Sequence, residues 1–510
     1  MRKSHNVTAA LCCLAFSTTT IAAPIVKTAS GRVSGSSRGG VKAFLGIPYA
    51  KPPIGDLRWR DPVPAASWRS VRETTRLAPS CLQNEPKPFG PYTASFLIAP
   101  ERSEDCLYLN VWSSADKPRT KPVYFFIHGG AFQAGGANVP AYDGTGLAKN
   151  GAVVVTLNYR LGVFGFLAHP DLTRESPLGT SGNYGLLDII EALRWVRANI
   201  AQFGGDPTNV TIAGQSAGAV AVSDLLVSPI AKGLFHRAVI QSGPVMNLPI
   251  TSTLAQAERA GTTFAAGLKA DNIAALRALP AAEVAKGALA GVPWPNIDGK
   301  VVLSNPELPN VELTSNVPII AGYVRDEAAD VPRTKVAFEE DVRKRFGAFA
   351  DRFLALYPHS NDAEAAISGP QLARERYIAA MLLWADRRAA SGQPVYSYVF
   401  EHRFPGVESE KFGAFHTADI PYVFGAMSLP DANFTNNDRQ ISSQIQKRWI
   451  AFMTSGNPNS KGDPVEWPQA RGDPGSIWRI GATDTASVIK ADRLALFREY
   501  VAKGGKLGLF

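Results

Sequence analysis

Apolar positions along the chain fall into short continuous runs separated by stretches of helical period. Residues 122–127, 152–157, 210–213, 318–322 and 394–400 are apolar, rich in β-branched and aromatic side chains, and bounded by Gly, Pro or polar residues. Such runs predict buried strands. A further strand is expected at 235–243. Residues 186–199 place Leu187, Ile190, Leu193 and Val196 on one face and predict an amphipathic helix. Two blocks, 251–290 and 336–392, read as helical, and a last helix spans 441–453 before a Pro/Gly-rich tail. Strands alternating with helices specify the α/β class: a mainly parallel sheet covered on both faces. The helical blocks read as insertions over the strand ends. Residues 25–35 alternate like a first hairpin, and the Pro and Gly density of 44–60 excludes a helix there.

One junction in this pattern carries chemistry. The apolar run 210–213 leads directly into Gly214-Gln215-Ser216-Ala217-Gly218, and residues 219–227 continue as apolar helix formers. Strand, tight turn and helix in succession place a serine at the apex. The flanking glycines answer a steric demand, because side chains there would strike neighbouring backbone. The hydroxyl is then held at the positive end of a helix dipole, as an acyl-transfer nucleophile requires. Gly35-Ser36-Ser37-Arg38-Gly39 fits the same spacing, but no buried strand precedes it and no helix follows, so it reads as a polar turn.

A second glycine cluster, His128-Gly129-Gly130-Ala131-Phe132, follows the strand at 122–127. Glycines at a strand end let backbone N–H groups point into a cavity, and acyl transfer needs such donors for its oxyanion. The N–H groups of Gly130, Ala131 and Ala217 are the expected three donors, with Gly129 supporting the turn. His128 precedes the nucleophile in chain order and reads as structural.

Composition sets the class and the address. Hydrophobic content of 45% and charged content of 19% suit a globular protein. Arg2 and Lys3, the apolar residues 7–16 and the small residues before Ala23 form a signal peptide over 1–22, with cleavage after Ala22 or nearby. The mature chain is expected to be secreted or periplasmic. It keeps Cys81 and Cys106, and two cysteines in an exported chain favour one disulfide, the alternative being two buried thiols. Its 51 basic and 44 acidic residues give a net charge of +7, spread without a basic run. That balance suits solubility and a mild attraction for anions, not nucleic-acid binding. No later run approaches the ~20 apolar residues that span a bilayer, so no stable membrane insertion is expected. No Cys/His cluster at ligand spacing and no dinucleotide fingerprint is present, so neither metal nor cofactor is expected. The loop between the cysteines carries Phe89, Tyr92, Phe96, Leu97 and Ile98 and reads as a lid, a gorge rim or a packed surface loop.

Taken together, the stretches 44–50, 103–112, 128–132, 158–167, 183–187, 203–219 and 413–425 resemble the type-B carboxylesterases, a branch of the α/β-hydrolase superfamily. The resemblance spans nearly the whole mature chain and implies one α/β-hydrolase domain over 23–510. It places the nucleophile at Ser216, the acid at Glu327 within Gly322-Tyr323-Val324-Arg325-Asp326-Glu327, and the base at His416. It also matches Cys81 and Cys106 to the family's N-terminal disulfide. Serine needs a base to take its proton, histidine titrates near neutrality, and a carboxylate fixes the imidazole tautomer, so the assigned roles are chemically coherent. Asp326 is the rival acid, otherwise a solvated or capping carboxylate, and His402 a rival base. His169, His236 and His359 read as surface or packing residues.

The chain departs from the family pattern at several points. Gln215 stands where Glu is usual, which implies a weaker preference for cationic esters and a lower His416 pKa than in Glu-bearing relatives. Ala131 replaces a glycine, Thr417 and Asp419 replace Gly and Glu after the base, and Ala328 follows the acid. Ser242 falls at a position that, in the family it resembles, supports the triad from behind. The resulting expectation is a serine hydrolase cleaving small-molecule carboxylic esters through an acyl-enzyme. The alternatives are a lipase for long-chain esters or a non-catalytic binding member of the fold. Natural substrate and oligomeric state are not encoded in any motif.

Overall fold

The computed structural model describes residues 23–114, 120–243, 252–287, 294–306, 312–328, 331–463, 465–483 and 487–508. The expected signal peptide, with Cys12 and Cys13, lies outside them. The apolar runs anticipated as strands assemble into one sheet of ten. In chain order these are β1 (Ser36–Arg38), β2 (Val41–Pro48), β3 (Tyr108–Ser114), β4 (Lys121–Ile127) and β5 (Val153–Leu157). Then come β6 (Gly205–Gln215), β7 (Arg237–Gln241), β8 (Ile319–Val324), β9 (Val395–Phe400) and β10 (Ile477–Ile480). Across the sheet the order is β10-β9-β8-β7-β6-β4-β5-β3-β2-β1. From β10 to β5 all neighbours are parallel, whereas β5, β3, β2 and β1 pair antiparallel. The expected N-terminal hairpin also forms, Ile25–Lys27 against Arg32–Ser34.

Alternation along the central strands divides their side chains between two cores. On β4, Val123, Phe125 and Ile127 enter one core, and Tyr124 and Phe126 the other. On β5, Val153, Val155 and Leu157 oppose Val154 in the same way. Both faces are apolar because both are covered. Helix α1 (Tyr184–Asn199) and helix α2 (Ala217–Leu226) pack Leu186, Ile190, Val222 and Leu225 into the first core. The blocks 251–290 and 336–392 supply α3 (Leu254–Gly267), α4 (Lys335–Phe346) and α5 (Asp362–Ala389) to that side. Helix α6 (Asn436–Ser455) covers the second face with Ile441, Ile445, Trp449 and Phe452. Each such large apolar side chain contributes roughly 1.5–3 kcal/mol on burial. Helix α1 is buried well beyond one face, and its Asp188 is neutralised by Arg160 at 2.7 Å.

Three expectations are corrected. The tail beyond α6 is not structureless: it holds β10 and helix α7 (Ala491–Ala502). Strand β10 has four residues after Pro474-Gly475, and its partner β9 lies far away in sequence, so no local signal marks it. Residues 36–38 form a polar, fully exposed edge strand instead of a turn. Within 44–60, residues 44–48 belong to β2 and 55–57 form a single 3-10 turn. Among the described residues, no helix is long and apolar enough to cross a membrane.

Candidate active site

Ser216 sits at the sharp turn between β6 and α2, with φ 58° and ψ −124°. This is a costly region for a residue with a Cβ, about 1–3 kcal/mol, and it persists only where surroundings enforce it. Two contacts do so. Ser216 N donates to Gln241 O at 3.0 Å, tying the turn to β7. A Cβ on Gly214 would lie 2.1 Å from Gly218 O, and one on Gly218 would lie 2.0 Å from Ile127 O. Both partners are backbone and cannot yield, so glycine is required at each position. Ala217 opens α2, so its N–H has no intrahelical acceptor.

The loop after β4 lies directly against this turn. A Cβ on Gly129 would stand 2.8 Å from Ser216 Cβ and 2.7 Å from Gln215 O. Gly130, Ala131 and Phe132 have φ of 109°, 54° and 57°, and Gln133 N and Ala134 N both donate back to Gly130 O. Among the described residues, the N–H groups of Gly130 and Ala131 have no hydrogen-bond acceptor. The left-handed backbone at Ala131 is where glycine would sit without strain. His128 braces the loop. Its Nδ1 contacts Gly129 O at 2.8 Å, its ring stacks on Tyr159 at 4.4 Å, and Tyr159 OH donates to His128 O. Burial pushes its pKa down to about 4, so His128 stays neutral inside the wall, as its structural reading anticipated.

Glu327 and His416 are set side by side by the sheet. Strands β8 and β9 are parallel neighbours, and just beyond β8 Asp326 forms a parallel bridge with Phe415. Asp326 N donates to Ala414 O at 3.0 Å, and Ala414 N donates to the Asp326 carboxylate at 2.9 Å. The next residue on each segment is Glu327 and His416, and His416 Nδ1 lies 2.5 Å from Glu327 Oε2. The Glu327 side chain is almost completely buried, and its other oxygen accepts from Val324 N at 3.0 Å. Burial disfavours the imidazolium of His416, but the Glu327 charge and hydrogen bond outweigh it and raise the pKa. Asp326 is committed elsewhere, to Arg325 at 3.0 Å and Arg374 at 3.5 Å. His402 is held by Asp438 at 2.7 Å, away from both. The Nδ1 atoms of His169 and His236 accept backbone N–H groups, and His359 Nδ1 contacts Tyr357 O.

His416 Nε2 faces the turn, where it meets Gln215 Nε2 at 3.0 Å. Gln215 therefore touches the imidazole itself. Among the described residues, Ser216 Oγ makes no hydrogen bond to His416. Resting geometry of this kind is common before substrate binds. Ser242 follows β7 in left-handed conformation, φ 50°, and its N donates to Gly322 O at 2.8 Å. Among the described residues its buried hydroxyl has no hydrogen-bond partner. Asp419 is buried and accepts from Tyr398 OH at 2.6 Å and Gln241 Nε2 at 2.9 Å. Burial raises its pKa.

Cys81 and Cys106 form a disulfide with Cα atoms 5.0 Å apart. The loop they close covers the segment that carries His416. Tyr92 OH donates to His416 O at 2.8 Å, and the Phe96 ring packs on Phe415 at 5.4 Å. Phe96 and Ile98 are buried and Phe89 alone of the five apolar residues is largely exposed, 64%, so most of the loop is packed wall. Tyr92 is a site residue that no spacing in the sequence signals, since its partner lies 324 positions away.

Comparison with known proteins agrees with this architecture. Residues 22–497 match the Carboxylesterase family. Fumonisin B1 esterase of Sphingopyxis macrogoltabida is 35% identical over 477 residues, covering 87% of this chain and 84% of that protein. Para-nitrobenzyl esterase of Bacillus subtilis (strain 168) is 35% identical over 476 residues, covering 87% and 92%. A solved PNB esterase structure superposes with TM-score 0.71 at 33% identity, covering 87% of this chain and 93% of that one. The ten-stranded sheet with helices on both faces is thus an α/β-hydrolase fold, and the chain, a carboxylic-ester hydrolase, belongs to the carboxylesterase family.

Proposed function

We propose that the protein is an exported serine hydrolase that cleaves small-molecule carboxylic esters through an acyl-enzyme, with Ser216, His416 and Glu327 as its triad. The observation that carries the reading is the short contact of His416 Nδ1 with Glu327. It leaves Nε2 directed at the turn that bears Ser216. Ser216 Oγ attacks the ester carbonyl while its proton passes to His416 Nε2, which the Gln215 amide first releases. The N–H groups of Gly130, Ala131 and Ala217 stabilise the oxyanion. The tetrahedral species collapses, the C–O bond breaks, and the alcohol departs with the proton from His416. Water then repeats the sequence on the acyl-enzyme and frees the acid. Glu327 keeps the Nδ1–H tautomer and stabilises the imidazolium.

Export is supported by the N-terminal segment of the sequence and by the Cys81–Cys106 disulfide, which suits an oxidising compartment. A single domain over residues 23–510 fits one sheet with continuous cores on both faces. The test is initial rates of the mature protein on p-nitrophenyl esters of increasing acyl length, with Ser216→Ala in parallel. The expected result is activity on short chains that vanishes in the variant. Full activity in Ser216→Ala would overturn the assignment. Rates that rise on long chains above their solubility limit would make the enzyme a lipase.

A further inference from the structure

His416 sits in a β-turn whose third position is filled against preference. Ala418 N donates to Phe415 O at 2.8 Å and closes the turn over 415–418. Thr417 has φ 92°, whereas the φ of His416 is not positive, so the turn is type II. Type II favours glycine at this position. A β-branched side chain there is an outlier that only its surroundings can hold. Five of the nine described non-glycine residues with positive φ belong to the candidate site: Ala131, Phe132, Ser216, Ser242 and Thr417. Of these five, Thr417 alone is β-branched.

A relaxed alternative lies one rotation away. Type I and type II turns differ by a half-rotation of the central peptide, here the one joining His416 to Thr417. Type I would give Thr417 an ordinary negative φ and keep the closing bond from Ala418. The rotation changes ψ of His416 and φ of Thr417 together and reverses the His416 carbonyl. Tyr92 opposes it. Its OH donates to His416 O at 2.8 Å, and among the described residues this is the only hydrogen bond that the carbonyl accepts. The phenol cannot follow the carbonyl round, because its ring is fixed by Phe89 at 4.8 Å, Phe415 at 5.6 Å and Phe96 at 6.2 Å. Burial and the Glu327 charge push its pKa up, so it keeps its proton and remains a donor. The Thr417 hydroxyl also faces the phenol.

Resting on the triad reading above, we propose that Tyr92 is a positioning residue: by holding the His416 carbonyl it selects the strained type II turn and so aims the imidazole. The backbone angles of His416 govern which rotamers are open to its ring. With the turn relaxed to type I, the ring leaves the geometry in which Nδ1 meets Glu327 and Nε2 faces Gln215. The loop between the cysteines thus takes part in the reaction through one hydroxyl.

The test is a double-mutant cycle on the full mature chain with p-nitrophenyl acetate. Tyr92→Phe keeps the ring and removes only the donor. It is expected to lower kcat about tenfold with KM little changed. In a Thr417→Gly background, where φ 92° carries no strain, the same substitution should cost less than about twofold. In a Thr417→Ala background, which keeps the Cβ and loses the hydroxyl, it should again cost about tenfold. A crystal structure of Tyr92→Phe reads the turn without reference to activity and is expected to show type I. Equal losses in all three backgrounds, or a type II turn in that structure, overturn the proposal. A type I turn with undiminished kcat would show instead that His416 is not the base, which is the failure of the triad reading.

Discussion

Gln215 Nε2 lies 3.0 Å from His416 Nε2, so the imidazole is engaged at both nitrogens, by an amide on one side and Glu327 on the other. With Nδ1–H directed at the carboxylate, Nε2 is the acceptor and the amide N–H occupies its lone pair. A neutral amide in this place supports the unprotonated base. A carboxylate would instead favour the imidazolium. Gln215→Glu is therefore expected to raise the His416 pKa and move the acid limb of the pH dependence of kcat/KM upward by about one unit. A profile that stays where it was would show that the neighbour does not tune the base.

Glu327 and Asp326 are adjacent carboxylates with separate duties. Glu327 contacts the imidazole, while Asp326 ties its loop to Ala414 and two arginines. Glu327→Gln should lower kcat on p-nitrophenyl acetate by about 10⁴-fold, because an amide neither fixes the productive tautomer nor offsets the imidazolium. Asp326→Asn should cost less than about tenfold, because one amide oxygen still accepts from Ala414 N. Equal losses in the two variants would remove the distinction between them.

His128 makes the fold sensitive to acid. Its folded pKa of about 4 lies below the ordinary histidine value of about 6.5, so the unfolded chain takes up a proton that the folded one refuses. This contribution is fully present above pH 6.5 and is lost as pH falls toward 4, about 3 kcal/mol in all. Urea denaturation at pH 7.5 and pH 4 should show a smaller drop for His128→Asn than for the wild type. Identical drops would trace acid sensitivity to other groups. His416, whose pKa is raised, acts in the opposite sense and loses its contribution as pH rises through the folded value.

Local rules carried much of this architecture because its central strands announce themselves. Apolar runs such as Val123 to Ile127 are buried on both faces and stopped by glycine, and the steric demand at Gly214 and Gly218 writes the tight turn at Ser216 into the residues themselves. Glu327 and His416 are different. Nothing local joins them, and only the resemblance to a family supplied both positions. What escaped was set by distant partners. Strand β10 exists because β9 offers it an edge. Tyr92 reaches His416 through a loop whose course follows from a disulfide and a cluster of aromatic rings. Gln215 was expected beside the nucleophile, but its contact with the base depends on how β6 and the segment after β9 meet in space.

The bridge between Asp326 and Phe415 also separates what this protein can change from what it must keep. Glu327 and His416 are spaced by two neighbouring strands, and Ser216 and the glycine loop by two others in the same sheet. The spacing of the proposed triad is therefore set by the scaffold. The helical blocks and the disulfide loop contribute walls and leave that spacing alone. A lineage can redraw those walls, trading one ester for another, without having to rediscover how to break the bond.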